Sequence, residues 1–203
     1  MNNVEIVSPS SLVDFRELAE KTMERRGFLK AGLTLSATAI LSTGLVSPAL
    51  AWGGGTAYRV SFRNEHTGEN FAGVYRVGNK YLPEAFERIN YVLRDHRQNE
   101  IFPIDPRAID IVAIVHSATG SQNPYSLLSG YRSPRTNSSL RSNSEGVAKN
   151  SLHLSGQAID VRLNGVNASR IRDLAMRLNA GGVGYYPRSG FVHMDSGSVR
   201  HWG

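Results

Sequence analysis

Between Ala31 and Ala51 the chain reads AGLTLSATAILSTGLVSPALA, without one charged residue, and Gly53-Gly54-Gly55 follows directly after Trp52. This run divides the 203 residues into an N-terminal segment at 1–51, a Gly-rich linker at 52–57 and room for one ordinary domain at 58–203. Within 1–51, five basic groups (Arg16, Lys21, Arg25, Arg26, Lys30) meet five acidic ones (Glu5, Asp14, Glu17, Glu20, Glu24). They cancel, so the whole formal charge of +6 belongs to the remainder. Hydrophobic residues make up 40% of the chain, enough for a packed core and against wholesale disorder. There is no cysteine, which excludes disulfides, thiolate metal sites and a cysteine nucleophile. Any metal must be held by nitrogen and oxygen.

Just before the uncharged run stands Glu24-Arg25-Arg26-Gly27-Phe28-Leu29-Lys30. The twin arginine, the mildly apolar run and the small residues Ala49 and Ala51 together resemble a bacterial twin-arginine (Tat) export signal cleaved after Ala51. A retained transmembrane helix is the alternative, since ~20 apolar residues span a bilayer. The export reading implies passage through the Tat machinery, a periplasmic location and no stable membrane span once the signal is removed. Left uncleaved, the segment would be an anchor. An exported basic domain meets little nucleic acid, and 52–203 lacks aromatic platforms interleaved with basic residues, so no nucleic-acid partner is expected. The positive charge fits attraction to an anionic cell wall.

Along the remainder, Tyr58 to Phe62 alternates as a strand, His66-Thr67-Gly68 marks a turn, and Gly73 to Val77 reads as the hairpin partner. Pro83 opens a helix carrying Leu82, Phe86, Ile89 and Leu93 at helical spacing. Asp105 and Pro106 start a second helix, which stops near Gly120, and Tyr125 to Leu128 reads as a short strand. From Ser129 to Ser155 the chain is rich in Ser, Asn, Arg and Gly and shows no periodic apolar pattern. A polar stretch of that length within a domain points to function or disorder. Gln157 to Leu163 is a strand, and a third helix carries Ile171, Leu174, Ala175 and Leu178, closed by Gly181-Gly182. Strands at Val183 to Tyr186 and Gly190 to Met194 finish the pattern. The fold class is α+β, with a small antiparallel sheet late in the chain and helices packed on one side.

The chemistry concentrates in Ser151-Leu152-His153-Leu154-Ser155-Gly156-Gln157-Ala158-Ile159-Asp160 and in Gly190-Phe191-Val192-His193-Met194-Asp195. His153 precedes a strand, Asp160 lies on it, and His193 lies on the last expected strand, which can pair beside it. Two imidazoles and one carboxylate form a three-ligand set that leaves a fourth tetrahedral position for water, the composition of a catalytic zinc site. Bound zinc lowers the pKa of that water to about 7 and polarises a scissile carbonyl. Taken singly, each of the six histidines is more often a surface or core residue than a ligand; His116 on an apolar helix face and His66 in a turn are examples.

The whole phrase is more specific. Ser129-Gly130-Tyr131-Arg132-Ser133, Asn137, Gly146-Val147-Ala148, Ser151-Leu152-His153, Gly156, Ala158-Ile159-Asp160 and Phe191-Val192-His193 resemble the zinc D-Ala-D-Ala carboxypeptidase and murein endopeptidase superfamily, in particular its YcbK-like (murein endopeptidase K-like) branch. The resemblance covers most of 58–203, including His66-Thr67-Gly68-Glu69, Arg94-Asp95-His96-Arg97 and Pro103-Ile104-Asp105-Pro106. It implies the Hedgehog/DD-peptidase fold, one zinc ion (Zn2+) per chain, and hydrolysis of peptide bonds in peptidoglycan stem peptides and cross-links. By position, His153, Asp160 and His193 match the zinc ligands, and Arg132 matches the arginine that holds a substrate carbonyl or carboxylate. An always-charged planar donor suits an oxyanion. Many relatives carry an acidic base three residues before the last histidine ligand; here that position is Gly190. Asp195, two residues after His193 and so on the same strand face, is either the general base and acid or the group that orients a ligand histidine. Tyr131, Ser133, Asn137 and Ser151 are expected to read stem-peptide amides and carboxylates. A monomer is expected. The competing expectations are a non-catalytic murein-binding or scaffold protein on the same fold and a D-Ala-D-Ala carboxypeptidase.

Overall fold

In the computed structural model, residues 55–144 and 146–203 are described; the expected leader and most of the linker lie outside them. The first hairpin forms where alternation places it. β1 (Ala57–Asn64) pairs antiparallel with β2 (Asn70–Val77). The Asn64 side-chain oxygen accepts the N–H groups of His66 (2.9 Å) and Thr67 (3.3 Å), and Gly68 takes a positive φ of 75° to close the turn. A two-residue β3 (Lys80–Tyr81) extends this edge. Then α1 (Pro83–Val92) begins on Pro83, and α2 (Pro106–Thr119) begins where the Asp105 carboxylate accepts from Arg107 N–H at 2.9 Å. Gly120 ends α2 in the left-handed region, as the sequence suggested.

β4 (Tyr125–Ser129) leads into the polar stretch, which is not featureless. It holds α3 (Pro134–Ser142), capped by Ser133 ahead of Pro134, and a 3-10 turn at Leu152–Ser155 capped by Ser151. Apolar periodicity misses α3 because little of it is apolar; the Ser133-Pro134 start signal was the legible cue. β5 (Ala158–Leu163), α4 (Ala168–Leu178), β6 (Gly182–Tyr186), β7 (Phe191–Asp195) and β8 (Arg200–Trp202) complete the chain. Asn179, not the glycine pair, caps α4, with a φ of 53°.

The α+β class holds, but the expected small antiparallel sheet does not. The eight strands form one mixed sheet in the order β3-β2-β1-β4-β5-β7-β6-β8, with β1 parallel to β4 and β6 parallel to β8. The early hairpin joins the late strands because β4 pairs with both β1 and β5, a long-range pairing that local pattern does not report. Register sorts the side chains. Phe62, Tyr125 and Leu163 face one another, as do Leu127, Val161 and Val192, and Ile159, Met194 and Val183. All are buried. α2 covers this face, with the Tyr125 hydroxyl on Val112 O (3.2 Å) and the Tyr75 hydroxyl on Asp110 (2.7 Å), and Phe86 of α1 meets Tyr75 edge-on. The opposite face of β5 and β7 therefore carries Ala158, Asp160, His193 and Asp195. No helix among the described residues is long and apolar enough to cross a membrane.

The hairpin turn is tied to the end of α1. Arg94 donates to both oxygens of Glu69 (2.6 and 3.0 Å) and to Asn99 (2.7 Å). The hydrogen bond from Arg94 outweighs burial and lowers the Glu69 pKa from 4.5 to about 2. A depressed folded-state pKa contributes stability above about pH 4.5 that is lost as the pH falls towards 2. Glu69→Gln is expected to lower stability by about 1–2 kcal/mol at pH 7, the scale of a hydrogen bond between charged groups. Melting temperatures of both proteins measured from pH 7 down to 2 should converge at the acid end; a constant difference would contradict the assignment.

Candidate metal centre

Asp160 and His193 are direct partners in the β5–β7 ladder, so their side chains leave the sheet side by side. His153 reaches the same point from the 3-10 turn before β5. Its entry is anchored at both ends: the Ser151 hydroxyl caps the turn, and His153 O accepts the Arg132 N–H at 3.1 Å. One donor atom from each of the three residues lies within 4.8 Å of the others, and all three residues are buried. His193 Nδ1 stands 2.8 Å from Asp160 Oδ1 and 3.2 Å from His153 Nε2, and His153 Nε2 stands 3.2 Å from Asp160 Oδ1.

Each side chain has its other polar atom engaged. His153 Nδ1–H donates to Gly130 O at 2.6 Å, which leaves Nε2 with a free lone pair facing the cluster. Asp160 Oδ2 accepts from Arg132 at 2.5 Å, and Arg132 also donates to the Ser129 hydroxyl at 2.8 Å. His193 Nε2–H donates to Asp195 Oδ2 at 2.9 Å, so its Nδ1 is the atom presented. A donor set of two nitrogens and one oxygen, all oriented from behind, fits a zinc ion.

The segment bearing Gly130 and Arg132 is itself held. The β4–β5 register shifts between Leu127 and Ser129, and His66 Nε2 lies 3.1 Å from Leu128 O at this bulge. The bulge sets Ser129 opposite Asp160. Beyond it, buried Asp95 accepts four hydrogen bonds, from Ser133 N–H (2.9 Å), Ser133 hydroxyl (2.7 Å), Arg97 N–H (2.9 Å) and Gln98 N–H (3.3 Å). Three of the residues expected to read substrate are engaged inside the protein. Tyr131 is buried, stacks on Phe102 and donates to Glu100 at 2.8 Å. Ser133 is the buried α3 cap, and Asn137 is buried with its amide on Ala148 O at 3.2 Å. Ser151, half-buried, caps the 3-10 turn.

Asp195 is fully buried and its two oxygens accept from five groups. These are Gly182 N–H (3.1 Å), Gly197 N–H (2.9 Å), Arg200 Nη1 (3.1 Å), Arg200 Nη2 (2.7 Å) and His193. Burial alone would raise its carboxyl, but the hydrogen bonds from His193, Arg200 and Gly197 hold it well below the usual carboxylate range. Sequence reasoning did not find Arg200 or Trp202. The Trp202 ring lies over Gly184, where a Cβ would stand 2.7 Å from it, and 5.2 Å from the His193 ring. Both belong to β8, whose three residues are too few for alternation to register.

The chain matches the family model described as peptidoglycan L,D-endopeptidase MepK over residues 54–202. It is 42% identical to the peptidoglycan L,D-endopeptidase MepK of Escherichia coli (strain K12) over 179 residues, which cover 88% of this chain and 96% of that protein. The same figures hold for the Shigella flexneri protein of that name. The “Probable peptidoglycan L,D-endopeptidase MepK” of Haemophilus influenzae is 39% identical over 144 residues, 70% of this chain and 77% of its own. The chain belongs to this family. The matched region takes in every residue of the His153–Asp160–His193 cluster and the β8 residues behind it.

Two predictions follow from the geometry of this family member. Asp95→Ala strands the two buried donors of Ser133 and frees two further N–H groups, so it should cost about 3 kcal/mol. In a domain of this size that lowers the melting temperature by roughly 6–12 °C in a thermal scan. The second concerns protons. Burial pushes the His193 pKa down, but hydrogen bonds to Asp160 and Asp195 outweigh it and raise it to about 9. Below that pH, a cation entering the cluster must displace the proton on Nδ1, so zinc affinity should fall about tenfold per pH unit. Competition titrations against a chelator between pH 8.5 and 7 check this; a flat profile would contradict it.

Proposed function

We propose that residues 58–203 form a zinc-dependent peptidoglycan endopeptidase of the Hedgehog/DD-peptidase fold, cutting L,D-type cross-bridge peptides. The observation that carries this reading is the convergence of His153 Nε2, Asp160 Oδ1 and His193 Nδ1 within 4.8 Å, each with its second polar atom already bound. The bond type follows the relatives, which are named as peptidoglycan L,D-endopeptidases. His153, Asp160 and His193 would hold the ion. Zinc, when bound, supplies a Lewis acid and a water whose pKa lies near 7.

The remaining work falls to the chain's own side chains. Gly130 O fixes the His153 ring, and Asp195 fixes the His193 ring. Arg132, paired to Asp160 and lightly exposed, places a permanent positive charge beside the cluster, where a carbonyl oxygen gains negative charge on attack. Of the two roles open to Asp195, orienting His193 has the support: an oxygen pair accepting five hydrogen bonds is a poor proton acceptor. Ser151 is the most exposed of the four expected substrate readers and caps the turn that carries His153. The twin-arginine leader supports export to the periplasm, with removal after Ala51. The basic surface of 52–203 favours residence near the anionic wall.

Gly190, standing where an acidic base is expected, favours a second reading, a murein binder that keeps the metal for stability. Incubating the purified protein with sacculi, with and without a chelator, and analysing the muropeptides by mass spectrometry separates the two. New uncross-linked peptides that disappear with the chelator are expected; co-sedimentation without products would favour the binder. His153→Ala should abolish both zinc retention and muropeptide release. Full cleavage by that variant would end the proposal.

A further inference from the structure

β8 is the last strand and lies at the sheet edge, beyond the strands that carry the donor atoms. Its placement nevertheless brings Arg200 onto both oxygens of Asp195, at 3.1 and 2.7 Å. The parallel β6–β8 register sets Arg200 beside Gly182 and Trp202 beside Gly184. Both glycines are required by this arrangement: a Cβ on Gly182 would run into the Asp195 carboxylate and stand 2.8 Å from the Arg200 guanidinium carbon. The Trp202 ring closes the assembly, with the guanidinium carbon 5.1 Å from its centroid on one hand and the His193 ring 5.2 Å away on the other.

An exposed ion pair is ordinarily worth little, and the Arg200 side chain is 43% exposed. Asp195, however, has no exposure, so this arginine supplies a permanent positive charge to a carboxylate removed from water. Asp195 also accepts from His193 Nε2–H, on the far side of the ring from the cluster.

We propose that Arg200 is a positioning residue for the metal centre: by gripping Asp195 with two nitrogens it holds the carboxylate where it fixes the His193 ring, with Nδ1 turned to the ion. The C-terminal strand is thereby part of the site. This inference rests on the zinc reading above.

The test uses the full chain and zinc itself. Zinc affinity at one fixed pH is measured by chelator competition, and the visible spectrum of the Co2+-loaded protein reports ligand geometry. Arg200→Met is expected to weaken zinc binding about 10–100-fold, the usual effect of losing a group that orients a metal ligand. Its Co2+ absorption should change while far-ultraviolet circular dichroism stays as in the wild type. Arg200→Lys keeps the charge but not the two-pronged grip, and should recover only part of the loss. It also serves as the probe should the methionine variant fail to fold. Asp195→Asn combined with Arg200→Met should be no worse than Asp195→Asn alone, because both act through one ring. Zinc affinity within twofold of wild type in both Arg200 variants, or additive losses in the double variant, would overturn the inference. Wild-type protein that binds no zinc would instead overturn the functional reading on which it rests.

Discussion

The antiparallel pairing of β5 with β7 is the constraint on which the rest of the site depends. Directly opposed residues in such a ladder send their side chains to the same face, so Asp160 and His193 meet because Val161 meets Val192 and Ile159 meets Met194. The apolar pairs on one face and the polar pair on the other are two readings of one register. A slip of β7 by a single residue would turn His193 towards the core and carry Val192 and Met194 to the polar face. Burial of Ile159, Val161, Val192 and Met194 under the helices therefore guards the chemistry on the opposite face.

Around that pair, two separate segments supply a backing group for each donor residue. The β4 exit brings Gly130 O and Arg132, and the strand end brings Asp195. None of these segments is left free to drift. Asp95 gathers the start of α3 and the loop after α1, Ser129 receives Arg132, and β8 brings Arg200 to Asp195. Buried ionised groups are tolerated here because each has several hydrogen-bonding partners, the condition under which a charge can leave water.

Much of this was legible along the chain. The hairpin turn at Asn64–Gly68, the Asp105 start of α2, the Gly120 stop and the β5 alternation were visible because each is a local preference of a few residues. The three members of the cluster were also legible, through the phrase in which they sit. α3 escaped because its stability comes from a Ser-Pro start and from contacts of Thr136 and Asn137 rather than from an apolar stripe. The functions of Tyr131, Ser133 and Asn137 were harder to read. A polar side chain looks alike in sequence whether it is exposed or, as here, buried and hydrogen-bonded within the protein.

What the amino-acid sequence determined by itself was the set of elements, the nitrogen-and-oxygen character of any metal site in a chain without cysteine, and the three residues able to form one. Tertiary structure alone decided that the strands join into one mixed sheet, that Asp195 is saturated with hydrogen bonds, and that Arg200 and Trp202 of the final strand stand behind His193. The physical reason is the range of the forces involved. Turn, cap and alternation preferences act over a few residues. Pairing between strands far apart in the chain is chosen by which register buries the most apolar surface while leaving no charge without a partner.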